Sequence, residues 1–598
     1  MEDLLHKGKF LSSRFFLAFT LLMFIYFGGL VFFEIHQTPF LYDSAIHIDA
    51  SKFFAYALGN PITPYTFELF STQTTGPTVT LFGAAVTRLI GNQVWTPGTA
   101  VAALNLSIFA IFLARLHHLY GNKATTLAAV FFTIFIIQGI QSWIFFVGEM
   151  PAILLFLVSI SFAVDEKISA RQRYLYSAIA VTLALRAKLI IMPMAAGVFG
   201  YLLLQSIVLI QQGHSSIKTL ARLLLLSSCV FLLIFLVLDS FEYSFFLFSP
   251  DSHYADFLKS RTDFLAGNST VGIGKLIKSE NAITQIIENI KGNYIIFSNT
   301  LQKHLGMASP VPLLLMPSLL TAWILFCSRH IFDKLIFVIS LSTSLTAIWF
   351  FAISQTVFDR YAIPLIFLLL VWVTLVTYRF FSLLGLVTLI AMTLIITPSS
   401  IRQELIHTIT FEEKRTESAL IAKKYNQNAI ETVNYLNSRP TDIPLAKCGW
   451  MTAVWSIDYL LPPGEHFIDC YQSIRSSLAF DEEYYLQNNL DAKESINQGN
   501  YHSAEKFFLA SDRKSLVRYA WQKPVNFILV MDKLTWKFSK FNKDANPAKA
   551  ALIDACKPQT LFENETYRVM NCTFENIKKA VPIDSYSFFV DDTPYWKR

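Results

Sequence analysis

Apolar runs of about 20 residues, the length that roughly 30 Å of hydrocarbon demands of a helix, recur along this 598-residue chain. The first extends from Phe15 to Phe33. A cleaved secretory core is shorter, about 7–15 residues, and ends at a small-residue site; this run continues into Glu34, Ile35 and His36, so it reads as a retained anchor. Further spans are expected near 98–116, 124–145, 150–164, 174–187, 189–211, 220–240, 311–328, 331–353, 361–378 and 380–398, which with the first makes about eleven transmembrane helices. At 53% hydrophobic, 15% charged and 54 Phe, the composition argues against a water-soluble fold.

Basic residues give the runs a direction. Lys7, Lys9, Arg14, Arg115, Lys123, Lys167, Arg171, Arg173, Lys218, Arg222, Arg329, Lys334 and Arg379 all fall on one side of the alternation, which is then the cytoplasmic side. The formal charge of +6 is thereby explained without a nucleic-acid partner. An odd number of spans puts the C-terminus outside, together with the polar segments 35–97, 241–310 and 399–598. The expected fold is mainly α, a polytopic membrane domain over 1–398 followed by an extracytoplasmic α/β domain over 399–598. The latter opens on a helical lead at 401–437 and contains strand-like runs from Asn526 to Met531 and from Thr566 to Met570. The expected location is a bacterial inner membrane, with the N-terminus cytoplasmic and the C-terminal domain periplasmic or extracellular.

Four of the six cysteines, Cys448, Cys470, Cys556 and Cys572, fall in that outer domain, while Cys229 and Cys327 sit in spans. The local pairing joins Cys448 to Cys470 and Cys556 to Cys572, one of three connectivities that four cysteines allow; four unpaired thiols are the alternative. No Cys-x-x-Cys spacing suggests a metal. Asn268, Asn564 and Asn571 begin formal glycosylation sequons.

Ionisable groups at a membrane boundary are costly to desolvate, so each is a functional candidate. Asp43 follows the first span by ten residues and could act as a base toward an acceptor hydroxyl or amine; a cap on the loop helix starting near Ser44 fits it equally. His47 shares its helical face and could assist. Glu149, in Trp143-Ile-Phe-Phe-Val-Gly148-Glu149-Met150-Pro151, is a lone acid in a very short turn on the same side. Asp43 and Glu149 together could hold a divalent cation such as Mg or Mn, although an acid is also welcome in a first helical turn before Pro. Arg186, Lys188 and Arg360 break the general bias against basic residues outside, and each could bind phosphate or merely anchor at the interface. The segment from Gly76 to Gly91 is apolar but too short to span.

In order and sidedness, the acid after the first span (Asp43), Gly76-Pro77 with Phe82 and Arg88-Leu89-Ile90-Gly91, Gly148-Glu149-Met150-Pro151-Ala152, the Lys188 element, Asp359-Arg360-Tyr361 and an outer C-terminal domain resemble the GT-C class of polytopic glycosyltransferases. In particular they resemble the group containing the protein mannosyltransferases and the aminoarabinose transferase of lipid A. The resemblance implies a polyprenyl-phosphate sugar as donor and a lipid, glycan or protein as acceptor. It further implies Asp43 as the catalytic loop acid, Glu149 as a second carboxylate for metal or acceptor, and Lys188 with Arg360 on the donor phosphate. Many members carry paired acids in the first loop where this chain has Asp43-Ser44 and then His47 and Asp49, so which acid is the base stays open. No nucleotide-cofactor fingerprint is present in the chain. Two other readings compete. A transporter or flippase of lipid-linked saccharides would show repeated halves and a midplane site. An O-antigen polymerase or ligase would carry an Arg-rich outer loop, where 241–310 has only Arg261.

Overall fold

The computed structural model describes residues 2–37, 75–121, 147–241, 282–305, 331–353, 362–377, 417–439, 445–447, 454–462, 467–469, 527–533 and 553–573, with single residues and short pieces near 50, 128, 144, 379, 410, 443 and 465. In chain order the helices are α1 (Glu2–Gln37), α2 (Pro77–Ile90), α3 (Thr96–Tyr120), α4 (Glu149–Ala163), α5 (Ala170–Leu185), α6 (Met192–Gln211), α7 (Ile217–Phe241), α8 (Ala282–Leu305), α9 (Ile331–Ile348), α10 (Ile363–Thr377), α11 (Glu417–Asn437) and α12 (Trp455–Leu460). Contacts divide the chain into two compact units: Met1–Gln37, Thr74–Phe82 and Gly98–Lys414 form the first, and Thr38–Gln73, Gly83–Pro97 and Arg415–Arg598 form the second.

Among the described residues five helices are long and apolar enough to cross a membrane: Ala18–His36, Thr96–Tyr120, Leu189–Gln211, Ile217–Leu238 and Lys334–Ala352. The chain is an integral membrane protein. The five fall on expected spans, whereas those expected near 124–145, 311–328 and 380–398 lie largely or wholly outside the described residues. The runs expected near 150–164 and 174–187 are the shorter helices α4 and α5. With 15 residues, α4 is only about 22 Å long, and of its residues only Phe162 is not buried. It is apolar all round because protein, not lipid, surrounds it.

Aromatic packing fixes α1 and α3 in the first unit. Phe27 meets Trp143 edge-on at 4.7 Å between centroids and Phe132 at 5.7 Å, and Phe109 contacts both. Helices α6 and α9 approach so closely that a Cβ at Gly197 would lie 2.2 Å from Ser342 Oγ, which itself donates to the Met194 carbonyl at 3.2 Å. The other hydroxyls of α9 donate back to carbonyls one turn earlier, Ser340 to Ile336 and Thr343 to Ile339, which lets polar side chains sit in an apolar environment. A π-helical turn, Trp349–Ile353, extends α9; Asn293 and Asn289 of α8 donate to its Phe350 and Ala352 carbonyls at 2.7 and 3.2 Å.

Several basic residues assigned to the cytoplasmic side meet at the α3–α4–α5 ends. Arg115 donates to Asp165 Oδ2 at 2.5 Å and to the Ser161 carbonyl at 3.3 Å, and its guanidinium lies 4.2 Å over the Phe162 ring. His118 Nε2 is 3.4 Å from the same carboxylate oxygen, and Lys334 pairs with Glu166. Asp165 is fully buried and amply partnered, as a buried charge must be.

The second unit contains a five-stranded mixed sheet in the order β2-β1-β3-β5-β4, built from β1 (Leu445–Lys447), β2 (Ile468–Asp469), β3 (Phe527–Asp532), β4 (Thr560–Glu563) and β5 (Tyr567–Cys572). The central β3 is parallel to β1, antiparallel to β5 and buried at all six positions, so both of its faces are covered. Tyr425, Ala429, Val433 and Leu436, at helical spacing on α11, share a core with Ile528, Val530 and Val569. Burial pushes the Tyr425 hydroxyl's pKa up, so it remains a donor, and it binds Asp532 at 2.8 Å.

At the sheet edge the hydrogen bonds from Arg568, and then those from Lys533, hold the Glu563 carboxyl at a pKa of about 2. A carboxyl depressed in the fold contributes stability above its unfolded pKa and loses it as pH falls toward 2. Because Glu563 is 38% exposed, solvent screening limits the contribution to about 1 kcal/mol. Thermal unfolding of the sheet is expected to be modestly easier at pH 3 than at pH 6 by this amount. Glu563→Gln should lose that part of the pH dependence.

Candidate functional site

The candidate site starts where α5 ends. Arg186 closes the helix in αR geometry, and Lys188 is extended, with φ −159° and ψ 123°. A helix end leaves carbonyls without intrahelical partners, and a helix start leaves N–H groups. Here the two meet: Gly76 N donates to the Ala187 carbonyl at 3.0 Å and Thr78 N to the Arg186 carbonyl at 3.3 Å, while Thr78 Oγ1 donates to the Leu183 carbonyl at 2.9 Å. This approach is possible only without a side chain, because a Cβ at Gly76 would lie 1.9 Å from the Arg186 carbonyl oxygen.

Gly148 holds the other flank. It caps α4 with φ +83°, a left-handed conformation suited to glycine, and a Cβ there would come within 2.5 Å of the Ala187 carbonyl oxygen. Glu149 follows as the first residue of α4, where the helix dipole favours an acid, and Pro151 sits in the first turn, where no intrahelical N–H bond is lost. The Arg186-Ala187-Lys188 turn is thus clasped between two glycines.

Across this clasp Lys188 Nζ lies 3.3 Å from Glu149 Oε1, with the two side chains only 5% and 8% exposed. The contact is a charge pair rather than a directed hydrogen bond: neither carboxylate oxygen has a hydrogen-bond partner among the described residues. At an effective dielectric near 20 such a pair gains on the order of 5 kcal/mol, while desolvation costs several kcal/mol per ion. The net contribution to stability is therefore small, although breaking the pair leaves a costly buried charge.

Arg186 is 2% exposed, and its guanidinium stacks 4.4 Å over the Phe235 ring of α7. Glu149, Arg186 and Lys188 together carry one net positive charge. Thr75 also stands here: it is fully buried, its methyl carbon is 3.3 Å from where a Gly148 Cβ would be, and its hydroxyl has no hydrogen-bond partner among the described residues. The sequence reading missed Thr75, since an isolated threonine beside Gly-Pro has no periodic or charge signal.

Of the sequence candidates the structure brings Glu149 and Lys188 together, with Arg186 two positions from Lys188. Asp43, His47, Asp49, Arg360, Cys327, Cys448 and Cys470 lie outside the described residues. Cys229 is exposed on α7 with a free thiol, and Cys556 is disulfide-bonded to Cys572. Asn564 is a structural residue: its amide donates to the Asn428 carbonyl at 2.9 Å, and its Oδ1 accepts from the backbone N–H of Tyr567 at 2.8 Å. Among the described residues no three His, Cys, Asp or Glu converge as a metal site. Glu149 has oxygens a hard cation would accept, but the described residues alone do not make a full ligand set.

No family model and no curated protein matches the chain. Among solved structures it is similar to ArnT from Cupriavidus metallidurans in the apo state, at 11% identity and TM-score 0.45 over 93% of this chain and 98% of that one. The same protein bound to undecaprenyl phosphate gives 12% identity and TM-score 0.46 over 92% and 98%. The Archaeoglobus fulgidus oligosaccharyltransferase in complex with Zn and sulfate gives 12% and 0.42 over 88% and 70%.

Proposed function

We propose that the chain is a membrane glycosyltransferase that moves a sugar from a polyprenyl-phosphate donor to a lipid, glycan or protein acceptor at the outer membrane face. The observation that carries this reading is the buried Glu149–Lys188 pair beside Arg186, set on a glycine clasp. A lipid phosphate is the ligand that such a cluster suits: its oxygens accept hydrogen bonds from guanidinium and ammonium groups such as those of Arg186 and Lys188, and its tail needs an apolar surround. Without ligand, Glu149 serves as the counter-ion of Lys188.

In this reading the phosphate is the leaving group, and the two cations stabilise the charge that develops on it as the anomeric bond breaks. Asp43, with His47 beside it in sequence, takes the proton of the acceptor as it attacks, and Arg360 adds a further phosphate contact. The anomeric centre inverts. A divalent cation on Asp43 and Glu149 remains part of the proposal as an oxygen-ligated Mg or Mn, and no step is routed through it. ArnT has been solved with undecaprenyl phosphate, which makes that lipid the natural first donor carrier to try. A transporter reading lacks a specific observation in its favour.

The test is transfer by the purified protein in nanodiscs from a panel of polyprenyl-phosphate sugars, followed by mass spectrometry of the products. Wild type should release free polyprenyl phosphate with a glycosylated acceptor, and Asp43→Asn should fold, insert and release none. Full activity in Asp43→Asn removes that acid from the mechanism. Translocation without bond cleavage would favour a flippase.

A further inference from the structure

Between Glu166 and Asp239 the chain has no carboxylate side chain, yet that stretch contains Lys167, Arg171, Arg173, Arg186, Lys188, Lys218 and Arg222. Arg186 and Lys188 belong to the site above. Lys167 donates to the His118 carbonyl, and Arg173 to Gln205 Oε1 at 2.9 Å. The nearest acids in sequence are already taken, Asp165 by Arg115 and Glu166 by Lys334. Arg171, Lys218 and Arg222 are left exposed, with no ion pair among the described residues.

Helix geometry sets these three at one level. Tyr174 of α5 donates to the Leu202 carbonyl of α6 at 2.9 Å, so α6 runs back along α5. The turn that follows is tight, with Gly213 left-handed at φ +75° and Ser216 Oγ capping α7 by accepting from Thr219 N at 3.2 Å. Helix α7 therefore runs parallel to α5, against which it packs, and the Arg186 guanidinium over the Phe235 ring fixes their register. About 15 residues earlier on each helix, roughly 22 Å away, Arg171 stands level with Leu220, between Lys218 and Arg222.

On α7 the cations open an apolar stripe. Lys218, Arg222, Leu225, Leu232 and Leu236 follow one another at helical spacing on a single face, and the three leucines are exposed. The buried positions of the helix are others, Leu223, Ser227 and Phe235. Lys218 also stands in the first turn of α7, where the helix dipole disfavours a cation and no acid offsets it. Basic sidedness explains cations at this end of the helices, but not their common level, their lack of counter-ions or their alignment with the stripe.

We propose that this end of α5 and α7 is a binding site for an anionic glycerophospholipid of the adjoining leaflet. Arg171, Lys218 and Arg222 hold its phosphodiester, and an acyl chain lies along Leu225 and Leu232. From Arg222 to Leu232 is about 15 Å, the hydrocarbon depth of one leaflet, which favours a lipid over a soluble phosphate. The site is separate from the Glu149–Lys188 cluster, since Arg186 closes the opposite end of α5, and it does not depend on the glycosyltransferase reading.

The experiment titrates the full chain, purified in detergent and stripped of lipid, with phosphatidylglycerol or with phosphatidylcholine of the same acyl chains, read by native mass spectrometry. Wild type should bind phosphatidylglycerol at least tenfold more tightly, and its melting temperature should rise with that lipid. Lys218→Gln/Arg222→Gln should bring the two lipids within twofold of each other and melt like wild type when no lipid is added. Should that variant fail to fold, Arg171→Gln alone should still lose at least threefold of the preference. Lys167→Gln, which removes a cation of the same side outside the site, should keep it in full. Equal binding of both lipids by wild type, or a preference that survives loss of the cations, overturns the proposal. Displacement of phosphatidylglycerol by glycerophosphate would make this a site for soluble anions, and a dimer that dissociates in Leu232→Lys would put a second copy on the stripe; either result also overturns it.

Discussion

Lys188→Met is expected to destabilise the protein by about 3–5 kcal/mol and to abolish donor use, because it strands the Glu149 carboxylate in a site where that side chain is only 8% exposed. Stability and function then separate in the double variant. Adding Glu149→Gln removes the stranded charge, so Lys188→Met/Glu149→Gln should recover most of the melting temperature in detergent. It should not recover transfer, since the cation proposed to face the phosphate is still missing, and losing one partner of a buried charged contact costs about 2–5 kcal/mol, roughly thirtyfold to several thousandfold in rate. A double variant that is stable and fully active would reduce Lys188 to a structural counter-ion of Glu149.

Gly76→Ala should be nearly as severe by a different route. The new methyl would stand 1.9 Å from the Arg186 carbonyl oxygen and 2.6 Å from its carbon, and backbone cannot swing aside as a side-chain tip can. The start of α2 must therefore move off the end of α5, which lengthens the 3.0 Å Gly76–Ala187 hydrogen bond and shifts the backbone bearing Arg186 and Lys188. Overpacking of this kind costs about 1–3 kcal/mol or more. Gly148→Ala adds left-handed strain of about 1–3 kcal/mol to a 2.5 Å approach on the same turn. Gly213, also left-handed at φ +75° but with nothing within 4 Å, is the control: Gly213→Ala carries the backbone strain alone. Melting and transfer should both fall for Gly76 and Gly148, and only melting, slightly, for Gly213. A Gly76→Ala protein with normal transfer would show that the clasp does not set the cations.

The parts of this picture differ in how far they could be read from sequence. Glu149 and Lys188 were visible singly, because a lone acid in a short apolar turn and a basic break in a long apolar run are both costly in a membrane. Their pairing was not visible, since it joins residues 39 apart through a third segment, Thr75–Thr78, that has no charge at all. Apolar length found the helices but not their surroundings. Buried on nearly every side by protein, α4 reads from sequence as one more lipid-facing span. Strand-like runs at 526–531 and 566–570 were legible from their β-branched and apolar composition and correspond to β3 and β5. The partners of β3 were harder to see, because β1 and β2 are three and two residues long and pair in parallel with strands far along the chain. The hydrogen bond from Lys52 to the Asp458 carbonyl, 406 positions away, has no sequence signature of any kind.

The measurement that decides whether the Glu149–Lys188–Arg186 cluster seats a lipid phosphate is direct binding, read by native mass spectrometry of the purified protein titrated with a polyprenyl phosphate. Wild type and Asp43→Asn should bind it alike, because the acid loop is assigned to the acceptor's proton and not to the donor. Lys188→Met/Glu149→Gln, stable but lacking the cation, should bind at least tenfold more weakly. Equal binding by wild type and the double variant would contradict the assignment and place the phosphate elsewhere in the chain.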